Sequence, residues 1–364
     1  MKKALYFFQY LPPWKIDVFN GIAAHYDLTV VFFDIDRNGF TYDREDLLGR
    51  LDGVGVEILD GGVKIFGHPF RKGIGRLLGK YRPDVVFVHE FSPVTVELLH
   101  RRKNYGYRVF LTTSDNLEMA KESRGLVRMV RNKVFRKVDG AIFYSEAVRA
   151  YYKERYPSLR SFVCPNIQKP ETLLRYREEF PSVIPDLKER YGIAEDERII
   201  LYIGRLVHVK GLDLLLTAFA AADLPGKLVL VGEGECREAL ENQAEALGIK
   251  DKVVFSGFLF GARLYAWYDM ADFFILPSRM EPFGAVVNEA LVYGCPVVAS
   301  DRIGALDFLD EENGIVFNPE NPDDFARALK SASARFRLAS GCSRKSLMRL
   351  SFEQYMSAYL NIDQ

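Results

Sequence analysis

Short apolar runs alternate along the chain with segments whose apolar residues recur at helical spacing. Continuous apolar runs of this length predict strands that are buried on both faces, and strands that alternate with helices predict parallel sheets. The predicted strands cover residues 4–8, 28–33, 54–58, 84–88, 108–112, 140–144, 199–203, 227–231, 253–258, 273–276, 296–299 and 314–317. Helices are predicted between many of them, and also over 323–335 and 345–360. The fold class is therefore α/β with parallel sheets.

The stretch 273–299 combines a strand, a loop, a helix and a second strand around two glutamates. Pro282 and Gly284 end the loop, so the helix that follows offers N–H groups and the positive end of its dipole to an anion such as phosphate. Glu281 on the loop and Glu289 inside the helix can accept hydrogen bonds from the hydroxyls of a sugar or a ribose. The alternative is a helix with one acid near its start and one solvated glutamate.

Two further loops at the ends of predicted strands favour the first interpretation. Arg205 and Lys210 follow Gly204 on one loop, where a planar guanidinium and a movable ammonium can both hold phosphate oxygens. The next strand runs into the tight turn 232–234, which has the sequence Gly-Glu-Gly. With the helix start at Gly284, these turns predict a site for a diphosphate with hydroxyl groups on either side.

Polar residues also end the predicted strands of the first half, where open parallel sheets bind their ligands. His89, Asp115 and Ser145 lie at such ends. The alternative for His89 is a buried loop histidine that holds a backbone carbonyl. Residues 121–138 place cations among apolar residues at helical spacing. That pattern predicts either a basic amphipathic helix on an anionic membrane or an ordinary solvated helix face.

The net charge of the 364 residues is zero, but the two halves differ. Residues 1–170 hold 28 Lys and Arg against 19 Asp and Glu, a net charge of +9, and the remainder holds 21 against 30, a net charge of −9. This length and this asymmetry predict two domains with different partners.

The cysteines and the apolar stretches indicate where the protein resides. Four scattered cysteines without a Cys-X-X-Cys pair predict reduced thiols in a cytoplasmic protein. We expect no signal peptide, since no small-residue cleavage site follows the first apolar run, and no stretch approaches the length of a membrane span. Metal-ligand spacing of His and Asp is absent from the sequence, and the acids Asp34 and Asp36 lie away from the motifs of the second half.

The motifs of the second half together resemble the retaining family 4 glycosyltransferases of GT-B fold. The resemblance rests on Gly204-Arg205-Leu206 with Lys210-Gly211, and on Glu281 and Glu289 enclosing Pro282-Phe283-Gly284; it covers most of residues 199–335. It implies two Rossmann-like domains whose parallel sheets face each other across a cleft. The acceptor-side domain would comprise 1–165 with a C-terminal helix 345–364 crossing back, and the nucleotide-sugar domain 166–344.

The resemblance also implies roles for individual residues. Arg205 and Lys210 would hold the diphosphate, Glu289 the ribose hydroxyls and Glu281 the sugar, while His89 would be the first-domain histidine near the sugar. The implied catalytic residues are His89, Arg205, Lys210 and Glu281, and the implied donor-binding residues are Gly204, Arg205, Lys210, Gly232, Glu233, Gly257, Phe258, Glu281, Phe283, Gly284, Ala285, Val286 and Glu289. No metal and no other cofactor would be needed, because the cations and the helix start neutralise the leaving diphosphate.

The chain departs from the family pattern in two places. The family often has a Gly-Gly loop after its first strand, and here that loop is 12–15, Pro-Pro-Trp-Lys, so we carry over no phosphate binding there. His89 is followed by Glu90 in a short motif, which weakens the carry-over of its role.

The expected function is transfer of a sugar from a nucleotide diphosphate sugar, UDP rather than GDP, to a glycan or lipid-linked acceptor. The anomeric configuration would be retained, and the product would serve cell-surface polysaccharide or glycoconjugate synthesis. The alternatives are a non-catalytic nucleotide-sugar-binding subunit and a nucleotide-sugar epimerase of the same fold. Nucleic acid is not an expected partner, because no stacking-aromatic or helix-turn-helix pattern is present. The protein is expected in the cytoplasm, with peripheral contact at the inner face of the membrane through the basic first domain as an open alternative.

Overall fold

The computed structural model describes residues 1–33, 44–59, 61–65, 68–338 and 344–363. The chain divides into two compact units, one formed by Met1–Gln168 with Leu350–Gln364 and the other by Lys169–Arg349. The sequence-based boundaries were 165 and 344.

The described part of the first unit is built on a parallel sheet of seven strands. Its strands are β1 Lys2–Phe8, β2 Tyr26–Phe32, β3 Gly55–Ile58, β6 Val85–His89, β7 Arg108–Thr113, β8 Gly140–Phe143 and β9 Ser161–Val163, and β4 Gly62–Ile65 and β5 His68–Arg71 form a separate antiparallel pair. The sheet order is β3-β2-β1-β6-β7-β8-β9. The helices are α1 Ile16–Ala23, α2 Arg44–Gly49, α3 Ile74–Tyr81, α4 Pro93–Tyr105, α5 Leu117–Glu122, α6 Gly125–Phe135 and α7 Glu146–Arg155.

The described part of the second unit has a parallel sheet of six strands. They are β10 Ile199–Ile203, β11 Lys227–Val231, β12 Val253–Gly257, β13 Phe273–Leu276, β14 Val297–Ser300 and β15 Gly314–Phe317, in the order β12-β11-β10-β13-β14-β15. The helices are α8 Pro170–Leu174, α9 Phe180–Tyr191, α10 Leu212–Ala222, α11 Arg237–Ala246, α12 Ala262–Met270, α13 Ala285–Val292 and α14 Pro322–Arg335, and α15 Phe352–Leu360 follows within the first unit. Because β10 lies between β11 and β13, the loops after β10, β11, β12 and β13 leave one edge of this sheet side by side.

Both sheets carry continuous apolar strands, which explains why the apolar runs located them. Leu5, Tyr6 and Phe7 of β1 and Phe274 and Ile275 of β13 are fully buried, as expected for strands covered on both faces. The predicted α/β class with parallel sheets is thereby confirmed. None of the helices in the described ranges has the length and apolarity to cross a bilayer. The described cysteines Cys164, Cys236 and Cys295 are free thiols.

Two predicted helices differ from the structure. Residues 121–138 do not form one helix, because α5 ends at Glu122 and α6 begins at Gly125. The helix predicted from 345 begins only at Phe352. Before it, the backbone groups of Leu347 bond to residues distant in the sequence and make no helical hydrogen bond there: the N–H donates to the carbonyl of Leu291 in α13 at 2.7 Å, and the carbonyl accepts from Asn313 Nδ2 at 3.2 Å. A capping box of Ser351 and Gln354 then opens α15.

Candidate functional site

Glycines bring the ends of three neighbouring strands of the second unit into direct backbone contact. The N–H of Gly232 donates to the carbonyl of Gly257 at 2.9 Å, and the N–H of Gly204 donates to the carbonyl of Val231 at 3.0 Å. A Cβ on Gly232 would lie 2.0 Å from the carbonyl oxygen of Gly204, so no side chain fits there. The predicted residues Gly204, Gly232 and Gly257 therefore form a backbone shelf at the carboxyl edge of the sheet.

The loop after β10 brings the predicted cation Lys210 to the predicted acid Glu281. The Lys210 ammonium donates to the Glu281 carboxylate, and both side chains are largely buried, at 15% and 13% exposure. The two residues are 71 positions apart, and the sheet order alone brings their loops together. Arg205 lies on the same loop and is exposed; its carbonyl accepts from the Tyr202 hydroxyl at 2.9 Å, which fixes the loop backbone.

A second ion pair, which sequence reasoning missed, holds the β10 and β13 loops together. The guanidinium of Arg279 donates twice to Asp213, at 2.6 Å each, and this contact lowers the pKa of the Asp213 carboxyl. The Arg279 N–H also donates to the carbonyl of Val209 at 2.9 Å. Gly211 completes the contact, because a Cβ there would lie 2.4 Å from the carbonyl oxygen of Pro277. These contacts, made by residues before and after Lys210 with the segment that precedes Glu281, hold the two loops of the Lys210–Glu281 pair together.

Helix α13 starts at the predicted anion site. Its N-cap is Gly284, with φ +94°, a left-handed conformation that a glycine adopts without strain. A glycine has no side chain to accept from the first N–H groups of the helix, so they remain suited to an external anion. Phe283 is buried, while Ala285 and Val286 are partly exposed at the helix start.

Glu289 is buried on the inner side of α13 and does not project into solvent as an ordinary helix acid would. It is 9% exposed, and its Oε2 accepts from the hydroxyl of Tyr268 at 3.1 Å. Burial, and then the neighbouring Glu289 carboxylate, raise the pKa of Tyr268 well above its usual value, so the phenol keeps the proton it donates. Tyr268, on α12, is a residue that sequence reasoning missed, since nothing local links it to a glutamate 21 positions away.

The two remaining predicted donor residues lie at the exposed side of the shelf. Glu233 forms an ion pair with Arg237, which also binds Glu241 at 2.9 Å. Phe258 follows β12 and is 59% exposed. The structure thus gathers the predicted donor-binding residues at the ends of β10, β11, β12 and β13, on the loops that follow them and on α13, where Glu289 lies more than a turn beyond the helix start.

His89 lies in the first unit, at the end of β6, and is buried at 8% exposure. Its Nδ1 is 3.0 Å from Thr112 Oγ1, and its ring stacks on Phe8 with centroids 4.3 Å apart. Burial, and then the nearby Lys15 ammonium, lower the pKa of His89 to about 3. The imidazole is therefore neutral at physiological pH and can donate or accept a hydrogen bond without carrying charge.

The other polar strand ends of the first unit have structural partners. Glu90 has φ +67°, rare for a residue with a side chain, and its carboxylate accepts from the N–H and hydroxyl of Ser114 at 2.8 and 2.6 Å. Asp115 is bound by Arg131, and Ser145 caps α7 by accepting from the N–H of Val148 at 3.3 Å. These residues organise the loops beside His89.

The chemistry available at the second unit follows from this geometry. The backbone shelf, the helix start and the two loop cations can hold an anion of several oxygens, while Glu281 and Glu289 can accept from hydroxyls. Within the described ranges no group of three or more His, Cys, Asp and Glu side chains is arranged to hold a metal ion. Asp34 and Asp36 lie outside the described residues.

Two family models match the chain, one in each half. The model described as "Glycosyl transferases group 1" matches residues 183–340, and the model described as "Glycosyltransferase Family 4" matches residues 22–167. A glycosyltransferase of Methanocaldococcus jannaschii is 40% identical over 144 residues, which are 39% of this chain and 37% of that protein. The lipopolysaccharide core biosynthesis glycosyltransferase LpsE of Rhizobium meliloti is 34% identical over 173 residues, 46% of this chain and 50% of that protein. The matched segments thus span half or less of these relatives.

Solved structures match the whole chain. The Anabaena protein HepE, crystallised in complex with UDP, superposes with a TM-score of 0.73 at 18% identity, covering 100% of this chain and 97% of that one. WaaG, a glycosyltransferase involved in lipopolysaccharide biosynthesis, gives a TM-score of 0.64 at 18% identity, covering 99% and 95%. At this identity the likeness shows a shared fold.

Proposed function

We propose, because the chain belongs to the group 1, family 4 glycosyltransferases, that it transfers a sugar from a nucleotide diphosphate sugar to a glycan or lipid-linked acceptor with retention of the anomeric configuration. UDP is the favoured nucleotide, since the Anabaena relative of the same fold was crystallised with UDP. Relatives named for lipopolysaccharide biosynthesis support a cell-surface glycan or a lipid-linked glycan as the acceptor.

One observation carries the proposal: Glu289 is buried, Glu281 is largely buried, and each carboxylate is held by its own donor. Lys210 holds Glu281 before the start of α13, and Tyr268 holds Glu289 more than a turn beyond that start. An oriented carboxylate can accept from sugar hydroxyls without the entropic cost of ordering a free side chain. In the proposed complex the diphosphate lies at the helix start, the ribose on Glu289 and the sugar on the Glu281 side.

The same groups supply the chemistry of the proposed transfer. As the bond between the anomeric carbon and the diphosphate oxygen breaks, negative charge develops on the diphosphate. Arg205, Lys210 and the N–H groups of α13 would stabilise that charge. The acceptor hydroxyl attacks the anomeric carbon from the same face that the diphosphate leaves, so the configuration is retained. The proton of that hydroxyl passes to an oxygen of the departing phosphate.

A pair of isosteric substitutions tests the assignment. Glu289→Gln removes the charge that ribose hydroxyls would meet, so we expect UDP binding to weaken by about 1.5–3 kcal/mol, the range for hydrogen bonds to a charged group. Glu281→Gln should leave UDP binding nearly unchanged and lower the rate of sugar transfer. The exposed Glu311→Gln serves as the matched control and should change neither.

Calorimetric titration with UDP and GDP measures binding, and NMR of the product measures the anomeric configuration. Loss of UDP binding in Glu281→Gln with unchanged binding in Glu289→Gln would mean that the two roles are reversed. A wild-type protein that binds UDP but releases no sugar from any UDP- or GDP-sugar would favour the non-catalytic binding subunit. Inverted configuration in the product would exclude the retaining mechanism.

A further inference from the structure

The first half of helix α6 projects three large apolar side chains into solvent. Leu126, Val127 and Met129 are 75%, 56% and 58% exposed. Leu126 and Met129 are three residues apart and therefore lie on one side of the helix. Aliphatic side chains exposed together on one short segment mark an interaction site more often than scattered single ones do.

The second half of the same helix is fixed to the body of the first unit. Val134 and Phe135 are buried at 1% and 3% exposure. Arg131 donates to both carboxylate oxygens of Asp115, at 2.5 and 2.9 Å, and to the hydroxyl of Tyr152 at 2.8 Å. The helix is thus anchored at its C-terminal end, and its first turns carry Leu126, Val127 and Met129 outward as a fixed apolar patch.

Cations surround the apolar patch. The segment 121–137 exposes six of them against one exposed acid, Glu122; they are Lys121, Arg124, Arg128, Lys133, Arg136 and Lys137. The cationic surface continues beyond the helix, because Arg136 lines a depression of about 320 Å³ together with Arg155 and Arg160, with Asp139 as the acid among its lining residues. The exposed charge of the segment is therefore +5, and Arg124 and Arg128 are the cations next to the apolar patch in the sequence.

We propose that the α6 patch, formed by Leu126, Val127 and Met129 with Arg124 and Arg128, docks the protein on an anionic lipid surface. Aliphatic side chains can enter the interface between headgroups and acyl chains, while long cationic side chains reach the anionic headgroups. Each cation near such a surface adds to the attraction, and the effect falls off within a Debye length. This inference does not depend on the proposed sugar transfer.

Two other occupants fit the patch less well. A second copy of the chain would bring six exposed cations of one segment against the same six of the other, which is unfavourable. Proteins usually bind single-stranded nucleic acid through aromatic side chains that stack on its bases, whereas the exposed apolar residues of this segment are aliphatic. An anionic bilayer uses both the cations and the aliphatic side chains.

Vesicle flotation of the full chain tests the proposal. The lipids are phosphatidylcholine alone or phosphatidylcholine with about 30% phosphatidylglycerol. We expect binding to the anionic vesicles only, and a loss of at least tenfold in apparent affinity for the triple variant Leu126→Ser/Val127→Ser/Met129→Ser. The double variant Arg124→Gln/Arg128→Gln should weaken binding severalfold, and raising salt to about 0.5 M should weaken that of the wild type. Phe260→Ser, which removes a side chain that is 77% exposed in the second unit, is the matched control and should bind as the wild type does.

A direct readout of insertion is the fluorescence of Leu126→Trp, taken as the difference from the wild type, which holds Trp14 and Trp267. We expect a blue shift of its emission on anionic vesicles and quenching by brominated lipid. Absence of vesicle binding by the wild type, or equal binding by the triple variant, would overturn the proposal. A concentration-dependent dimer that light scattering detects in the wild type and not in the triple variant would also overturn the proposal. So would an emission of Leu126→Trp that does not shift when anionic vesicles are added. Hydrolysis of a nucleotide sugar in solution should be unchanged in the triple variant, which separates failure of this proposal from failure of the proposed function.

Discussion

Lys15 is a buried cation whose partners are neutral, and removing its charge should stabilise the protein. Its Nζ donates to Asn166 Oδ1 at 3.0 Å and lies 4.6 Å from the centroid of the Tyr144 ring, and the residue is 0% exposed. Burial lowers the pKa of the ammonium from 10.5 to about 8. Lys15→Met keeps a similar volume and replaces the ammonium with an uncharged terminus.

The magnitude follows from the pKa. A fall from 10.5 to about 8 corresponds to about 3 kcal/mol that the folded state loses by holding the charge, at about 1.4 kcal/mol per pKa unit. Losing the hydrogen bond to Asn166 destabilises the variant by about 1 kcal/mol and so offsets part of that gain. Lys15→Met should therefore raise the free energy of unfolding by about 2 kcal/mol at pH 7.

The pH dependence has a definite sign. Because the folded pKa is lower than the unfolded one, the unfolded wild type binds more protons between about pH 8 and pH 10.5, and its stability rises across that window. The advantage of Lys15→Met should be constant below about pH 8 and shrink above it.

Urea unfolding followed by tryptophan fluorescence measures this difference. Trp14 lies beside Lys15 in the first unit and Trp267 lies in the second, so a Trp14→Phe background shows whether the change is confined to the first unit. The exposed Lys103→Met is the control and should change stability by less than about 0.5 kcal/mol. The reasoning is refuted if Lys15→Met is no more stable than the wild type at pH 7, or if its advantage persists undiminished at pH 10.

Three further predictions concern the candidate donor site. Arg205→Ala should lower kcat on the order of a hundredfold or more, because the negative charge that develops on the leaving diphosphate loses its cationic partner. A coupled assay of UDP release measures this, and wild-type turnover by a folded variant would contradict the prediction. Transfer activity should survive EDTA, since Arg205, Lys210 and the α13 start are expected to neutralise the diphosphate; complete loss that Mg²⁺ or Mn²⁺ restores would place metal chemistry in the mechanism. Tyr268→Phe should weaken UDP binding by roughly three- to tenfold, because Glu289 loses the donor that orients it, and calorimetry that shows unchanged affinity would exclude a positioning role.

The sequence by itself determined most strands of the two parallel sheets and the local motifs, while β4, β5 and β9 were not among the predicted strands. The strands β1, β6, β10 and β13 are continuous apolar runs bounded by Gly, Pro or polar residues, so their positions could be predicted from the chain alone. The loop from Glu281 to Gly284 and the helix after it are likewise encoded within a few residues, because Pro and Gly restrict backbone angles locally. The prediction of α/β class with parallel sheets succeeded for this reason.

The partners of the site residues were decided only by the tertiary structure. Lys210 meets Glu281 because β10 lies next to β13 in the sheet, and Tyr268 on α12 donates to Glu289 on α13 across 21 positions of the sequence. Such contacts depend on strand order, which no local pattern records. The helix wrongly predicted over 345–351 shows the same limit, since Leu347 bonds to Leu291 across the fold.

The α6 segment shows the limit most clearly. Helical spacing placed Leu126, Val127, Val130 and Val134 among cations without showing which of them would be covered. In the structure Val134 is buried, while Leu126 and Val127 remain in solvent. Which residues of α6 are buried depends on how far the body of the first unit extends along the helix. That contact includes Arg131, which binds Asp115, and the residues after it.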